Sequence, residues 1–383
     1  MNKTLLILVS HLSFFISHRL ELAISAKNLG YNVKVAFGEL DTDISYLTKN
    51  GFENFHVPIQ RGGTNIFRDF KSLYFIWSLF RKVRPDIVHL VSIKPYLYGG
   101  IIARLSRVPC VVSAVSGLGS LFIHEDFISR FLRLLIYPFY QIAFNHPNQK
   151  VIVQNQEDAN LLVKWGVLNL KKVRLIRGSG VKIENFTNLK EKDKIPTVCF
   201  ASRLILDKGV YDYVSAARLI QKRGVKAKFF LAGEIDNRNP TALKKNDLID
   251  LKKDKNIEFI GYQKNIPLLY SNCHIVCLPS YREGLPKALL EAAAASRAVV
   301  TTDVPGCRDA IISNKTGLLV PIKNPVMLAN SLQWLIENPI ERVQMGKAGR
   351  ELAEKEFRIE IIIKKHLNIY KELLSDFDKK KTN

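Results

Sequence analysis

The sequence predicts an α/β protein of two doubly wound parallel-sheet domains that face a central cleft. Short apolar runs alternate with helix-like segments along nearly the whole chain, as βαβ units require. The alternation starts twice, at TLLILV and again at TVCFASR, with a polar, aperiodic stretch between. At 383 residues the chain also exceeds one ordinary core.

In the first half, TLLILV (4–9) reads as a buried strand, and HLSFFISHRLELAISAKNLG as a loop and then a helix capped at Gly30. VKVAF (33–37), a short helix and a strand near Phe55–Val57 follow. Residues 66–84 form a long aromatic helix whose apolar side is expected to be core. DIVHLV (86–91) and CVVSAV (110–115) are strands with the helix Tyr98–Ser106 between them. A helix over 127–145 precedes KVIVQN, the helix QEDANLLVKWG and KVRLIRG. Domain one is therefore 1–178, and SGVKIENFTNLKEKDKIP within 179–196 is the linker. Domain two, 197–357, holds TVCFASR, a helix from Gly209 to Arg223, AKFFLAG, a helix near 241–253, NIEFIGY, a short helix and HIVCLPS. The helix 285–295, AVVTT, TGLLV and helices at 325–337 and 340–355 complete it. A last helix, 358–377, is expected to pack back on the first domain, with DKKKTN disordered.

The stretch Cys277–Gly306, CLPSYREGLPKALLEAAAASRAVVTTDVPG, organises the chemistry. It reads as strand, polar turn, helix and strand, with Pro286 in the first helical turn, where its missing N–H costs nothing. Such a turn aims backbone donors and a positive helix end at an anion such as phosphate. Glu283 and Glu291 frame it. Carboxylates repel phosphate, so these two suit neutral hydroxyls, and a sugar diphosphate supplies both kinds of group. SRLILDKG (202–209) ends another strand and brings Arg203 and Lys208 to a helix start, a cation pair suited to a diphosphate. GY at 261–262 ends a third strand, where a base can lie against backbone and Tyr262.

The formal net charge of +22 favours anionic partners: nucleic acid, acidic headgroups or phosphorylated substrates. The five cysteines fall mostly in apolar runs and read as reduced core thiols of a cytosolic protein. No second Cys or His pair completes a zinc set with Cys273 and Cys277. No signal peptide is visible, and no run reaches the ~18 apolar residues a bilayer span needs. The expected place is cytoplasmic, peripheral on the inner face of the plasma membrane. Asp41-Thr42-Asp43 is an Asp-x-Asp triplet, which helix capping explains better than metal. Arg61-Gly62-Gly63-Thr64 reads as a turn into the 66–84 helix. FISRFLRLLIYPFYQIAF mixes aromatics with arginines, either as core with snorkelling charges or as a face on an anionic membrane.

SRLILDKG, FLAGE, IEFIGY, LPSYREGLPKALLEA with its Glu-x7-Glu spacing, VVTTDVPGCRD and NKTGLLV stand in order over most of 197–320. On these motifs the chain resembles the retaining glycosyltransferases of family 4, which have the two-domain GT-B fold. FFISHRLELA and SAVSGLGSLF (113–122) look like the family-4 enzymes that extend lipid-linked sugars in bacterial polysaccharide and glycan assembly. The resemblance implies a nucleotide-sugar donor, UDP-linked, with Arg203 and Lys208 on the diphosphate and Glu291 on the ribose hydroxyls. It puts Glu283 on the sugar hydroxyls, and Gly284, Leu285 and Lys287 on sugar and phosphate through their N–H groups. Arg203, Lys208 and Glu283 are then the catalytic set, with Tyr262 beside the base. Front-face attack with retention follows, with no cofactor and no metal. The implied acceptor is a polyprenyl-diphosphate-linked sugar, with Ser13, His18, Ser116, Gly117, Gly119 and His124 on that side.

Three departures stand out. A His often follows the strand that here reads CVVSAV, where this chain has Ser116, so a serine, a carbonyl or His124 must position the acceptor. The first loop, HLSFFIS, lacks the usual glycine pair, and Ser296-Arg297 replaces a glycine before a strand. A sugar-nucleotide epimerase of similar shape and a transferase with a soluble acceptor are the enzymatic alternatives. A nucleic-acid-binding protein is the non-enzymatic one; it fits the charge, but no binding-module signature appears and the basic residues are dispersed.

Overall fold

Apolar runs build two separate parallel sheets in the computed structural model, which describes residues 3–60, 65–118, 127–187, 190–192, 195–237, 239 and 241–382. Unit 1 comprises Met1–Ser179 with Glu360–Asn383, and unit 2 comprises Gly180–Ile359.

In unit 1 the strands are β1 (Thr4–His11), β2 (Asn32–Glu39), β3 (Glu53–His56), β4 (Ile87–Val91), β5 (Cys110–Val115), β6 (Gln149–Val153) and β7 (Val173–Leu175). They lie in the order β3-β2-β1-β4-β5-β6-β7, all parallel. The helices are α1 (Leu12–His18), α2 (Leu20–Asn28), α3 (Ser45–Lys49), α4 (Ile66–Val83), α5 (Ile93–Leu105), α6 (Phe127–Phe144) and α7 (Gln156–Lys164). Residues read as one loop and one helix thus form two helices, α1 and α2, broken at Arg19 (φ −132°).

Unit 2 holds β8 (Thr197–Ala201), α8 (Val210–Lys222), β9 (Lys228–Ala232), α9 (Lys245–Lys253), β10 (Glu258–Gly261), α10 (Ile266–Ser271) and β11 (Ile275–Leu278). It continues with α11 (Lys287–Ala294), β12 (Ala298–Thr302), α12 (Cys307–Ala310), β13 (Gly317–Val320), α13 (Pro325–Glu337) and α14 (Pro339–Leu352). Its parallel sheet runs β10-β9-β8-β11-β12-β13. The chain ends in α15 (Ile359–Thr382).

Three readings need correction. The stretch read as a linker is not free: Val181, Ile183 and Phe186 are buried in the core of unit 2. Arg350 donates to the carbonyls of Phe186 (2.9 Å) and Ala294 (2.5 Å), and Arg342 makes a paired contact with Glu191, Nη2 to Oε2 at 2.8 Å. Scattered apolar anchors without a period read as linker, although they hold the segment down. The terminal lysines continue α15 to Thr382 instead of a disordered tail, and cations at a helix C-terminus suit the macrodipole. α15 belongs to unit 1, where Ile362, Leu367, Ile369, Tyr370 and Leu373 join the core under β1 and β4. The 66–84 helix buries only Ser72, Ile76, Leu79 and Phe80, and its aromatic side is exposed.

Among the described residues, unit 1 buries His89, His146 and His366 most deeply. The His89 Nδ1 meets the Tyr370 hydroxyl at 2.5 Å and its ring stacks on His366 at 5.6 Å, while His146 sits before β6. Burial, with Arg19 nearby, holds His366 down to about 3. Burial, Lys172 and Arg104 hold His146 down to about 4. Burial, Arg19 and His366 hold His89 well below the ordinary range. These rings stay neutral in the fold, while the unfolded chain takes up protons near pH ~6.5. Stability is therefore fully present above pH ~6.5 and falls as the pH drops toward ~3, by up to ~1.4 kcal/mol per pH unit for each ring. A melting temperature that declines steadily from pH 7 to pH 5 is the expected result; a flat profile would contradict it.

Candidate functional site

β8 and β11 are sequence-distant but adjacent in their sheet, so the loops leaving their carboxyl ends share one edge at the point where the strand order reverses. After β8 the chain makes a short turn over Leu206–Lys208 and enters α8 at Gly209, whose φ of 70° is left-handed. A side chain at Gly209 would come within 2.1 Å of the Pro279 carbonyl, so glycine lets the two loops touch. The Tyr281 N–H donates to the Asp207 carbonyl at 2.8 Å and fastens them together.

The result is a joined pair of predicted residues. Lys208 Nζ bonds to Glu283 Oε1, and the two side chains are only 14% and 11% exposed. Ser280 Oγ donates to the same oxygen at 2.7 Å. On the far side Gly306, φ 79°, opens α12; a Cβ there would meet the carbonyl oxygens of Gly284 at 2.4 Å and Glu283 at 2.6 Å. The turn bearing Glu283 is thus clamped between Gly209's loop and Gly306.

The other predicted residues are placed around this centre. Arg203 is joined not to Glu283 but to Asp236, Nη1 to Oδ2 at 2.6 Å, and remains 44% exposed. α11 begins at Lys287 with Pro286 as its N-cap, slightly later than the sequence suggests. Leu285 is buried, so only its main chain is available to a ligand. Lys287 Nζ lies 3.6 Å from Glu291 Oε1. Desolvation raises the Glu291 carboxyl above its ordinary value, and Lys287 partly offsets this. Tyr262 is exposed at the end of β10, on the rim of a cavity of about 590 Å³ also lined by Gly233, Glu234 and Gly261. Ser280, which orients Glu283, stands within LPSYREG without being singled out there, and Asp236, which orients Arg203, lies outside every quoted motif.

In unit 1, β1, β4 and β5 are neighbours and bring their own loops to one edge. Ser13 is taken up by Asp41, its N–H at 2.8 Å and its hydroxyl at 2.6 Å. Asp43 likewise receives the N–H (2.8 Å) and hydroxyl (2.6 Å) of Ser45 at the start of α3. Both carboxylates of the Asp-x-Asp triplet therefore serve helix starts. Among the described residues no three His, Cys, Asp or Glu gather as a metal site. His18 stacks on Phe14 at 4.2 Å and meets Ser17 Oγ at 2.6 Å. Ser116 and Gly117 follow β5 as half-buried residues, whereas Gly119, His124 and the Arg61–Thr64 turn lie outside the described residues. Ser92, after β4, holds φ 76° and donates to Ser10 Oγ at 2.9 Å, which meets His11 Nδ1 at 3.0 Å. Nothing in the sequence marks Ser92. The Ser296-Arg297 departure is also accounted for: Ser296 adopts φ 56° where a glycine is usual, and the fully buried Arg297 donates to the Tyr270 carbonyl at 2.8 Å.

Two family models match the chain, "Glycosyl transferase 4-like" over residues 4–155 and "Glycosyl transferases group 1" over 181–352. The chain is 26% identical to the N,N'-diacetylbacillosaminyl-diphospho-undecaprenol alpha-1,3-N-acetylgalactosaminyltransferase of Campylobacter jejuni, over 82% of this chain and 85% of that protein. It is 26% identical to the UDP-Gal:alpha-D-GlcNAc-diphosphoundecaprenol alpha-1,3-galactosyltransferase of Escherichia coli, over 84% of each. Among solved structures, a glycosyltransferase from Rickettsia africae superposes with a TM-score of 0.75 at 20% identity, over 98% of this chain and 99% of that one. Anabaena HepE in complex with UDP and glucose also gives 0.75, at 15% identity, over 96% and 99%. At these identities the two structures speak for the fold.

Proposed function

We propose a specific reaction for this chain, which is a glycosyltransferase of the two-domain GT-B fold, with a 4-like half and a group 1 half. It transfers a sugar from a UDP-linked donor, with retention, to a polyprenyl-diphosphate-linked sugar in bacterial glycan assembly. The observation that carries the donor half is the Lys208–Glu283–Ser280 network at the carboxyl edge of β8 and β11. The acceptor class rests on the likeness to the Campylobacter and Escherichia enzymes, whose names specify such acceptors.

In this reading Lys208 and Arg203 hold the diphosphate, and the diphosphate competes with Glu283 and Asp236 for them. The bond from the sugar's anomeric carbon to the phosphate oxygen breaks through an oxocarbenium-like state. The acceptor oxygen bonds on the same face, and its proton passes to the departing diphosphate. Lys208, Arg203 and the start of α11 stabilise the charge that grows on that group. Glu283 positions sugar hydroxyls and Glu291 the ribose, since one carboxylate can accept from a vicinal diol. The N–H groups of Gly284, Leu285 and Lys287 meet sugar and phosphate, and Tyr262 flanks the base. Ser13, His18, Ser116 and Gly117 belong to the acceptor side. No divalent ion is required. α6 adds Phe127, Phe131, Leu134, Leu135 and Phe139, all exposed, with Arg130 on its surface. No described helix is long and apolar enough to cross a membrane, so the proposed membrane association is peripheral.

The test is a screen of UDP- and GDP-sugars for transfer to isoprenoid-diphosphate sugars, run with and without excess chelator. Product with a UDP-sugar in chelator is expected. Turnover of the donor without any acceptor would point to an epimerase, and activity that chelator abolishes and manganese restores would overturn metal independence. Replacing Glu291 with alanine is expected to weaken binding of free UDP about tenfold, read by calorimetry. Equal affinity would remove Glu291 from the ribose.

A further inference from the structure

α4 turns its aromatic side away from the core. Phe67, Phe70, Tyr74 and Trp77 recur at helical spacing on one face and are exposed by 86%, 66%, 62% and 39%. A large exposed apolar face rimmed by charge marks an interaction surface. Lys71 and Arg81 share it, and the Arg81 guanidinium lies 5.2 Å from the Trp77 ring centre. The stripe starts beyond the carboxyl end of β3 and runs toward the opposite edge of the sheet, where α4 hands over to β4.

There it meets a cavity of about 470 Å³ lined by Trp77, Arg81, Arg84, Ser106 and Arg107 among others. Among the described residues, no hydrogen bond or carboxylate engages the guanidinium group of Arg81, Arg84 or Arg107. Ser106 Oγ is buried there without a partner. Asp86 also lines the cavity, but its carboxylate receives the Thr4 N–H at 2.8 Å and lies 3.6 Å from Lys3 Nζ. Arg84 and Arg107 hold left-handed backbones, φ 47° and 53°, where chains ordinarily place glycine. Both turns thus carry an arginine at some conformational cost, and both arginines line the same cavity.

We propose that this cavity binds the phosphate of an anionic phospholipid headgroup, with the aromatic face of α4 lying in the bilayer interface beside it. A guanidinium cluster matches phosphate oxygens, and Ser106 Oγ offers a further donor. Aromatic rings flanked by cations suit the boundary between headgroups and acyl chains. The inference rests on the membrane-linked acceptor of the proposed function and gives its membrane contact a specific address.

The test is flotation of the full chain with vesicles of phosphatidylcholine alone or mixed with phosphatidylglycerol. The variant is Arg84→Gly with Arg107→Gly, since glycine accepts both backbone conformations without strain. Binding to the anionic vesicles is expected to fall about thirtyfold, from two lost surface cations. A charge-matched control, Lys222→Ala with Lys226→Ala in unit 2, is expected to bind nearly as the parent does. Equal losses in variant and control would reduce the effect to net charge and overturn the pocket. So would a parent that ignores anionic vesicles. Soluble glycerol phosphate that binds the parent but not the variant, with no vesicle binding, would assign the pocket to a free phosphate compound instead. Transfer to the lipid-linked acceptor in detergent micelles is measured alongside. It is expected to be unchanged in the glycine variant, and its absence in the parent would count against the proposed function, not the pocket.

Discussion

Replacing Lys208 with alanine is expected to lower turnover at least about tenfold, equivalent to ~1.4 kcal/mol of transition-state stabilisation, with unit 2 still folded. The ammonium reaches a phosphate that gains charge as the sugar leaves, so its contribution is larger in the transition state than in the bound donor. The loss should therefore appear mainly in kcat and less in KM. The same substitution strips Glu283 of its cation and leaves it with the Ser280 hydroxyl at 2.7 Å. A second variant, Glu283→Gln, separates the two roles. It frees Lys208 from competition, so free UDP should bind at least as tightly as to the parent while turnover still falls. Full activity in a well-folded Lys208→Ala protein would remove the lysine from the diphosphate.

Gly306→Ala is expected to cost more than its single methyl suggests. The added Cβ would stand 2.4 Å from the Gly284 carbonyl oxygen and 2.6 Å from that of Glu283, both backbone atoms that cannot rotate aside. The left-handed φ of 79° adds its own penalty. A loss of roughly 2–4 kcal/mol of stability should follow. At temperatures where the variant stays folded, turnover should drop at least tenfold because the Glu283 turn must move by several tenths of an ångström (~0.5 Å). Gly224→Ala isolates the conformational part, since its φ is 77° but nothing lies within 4 Å of the added atom. It should cost about 1 kcal/mol and leave activity intact. Similar melting temperatures for the two variants would show that the clamp at Gly306 is loose.

Strands such as HIVCLPS and AVVTT announce themselves because buried parallel strands are nearly all apolar, and the motif loops sit where those runs stop. Strand order is not written in any run. Lys208 and Glu283 lie 75 residues apart and meet only because β11 pairs with β8. Glu283 is legible as a site carboxylate, though not its pairing with Lys208, whereas Asp236, the partner of Arg203, falls in a loop without periodicity. The outward face of α4 is hidden from the sequence for a different reason. An aromatic stripe at helical spacing is the same signal whether it meets a core or a solvent, and which side of the helix the sheet occupies is decided by Ile76, Leu79 and Phe80. Val181, Ile183 and Phe186 show the converse case, buried anchors in a stretch too irregular to look structured.

α15 has a consequence for how the protein comes into being. The strands of unit 1 precede all of unit 2 in the sequence, yet its core lacks Ile362, Leu367, Ile369, Tyr370 and Leu373 until α15 is made. At roughly 5–20 residues per second, its sheet waits while all of Gly180–Ile359 is made. Unit 2 is continuous in sequence and needs no such wait. Unit 1 therefore completes its core only after unit 2 has been made, with α1 and α2 covering β1 and β4 in part until α15 arrives. That interval leaves part of an apolar sheet face open, which is the condition under which a chain is most prone to aggregate.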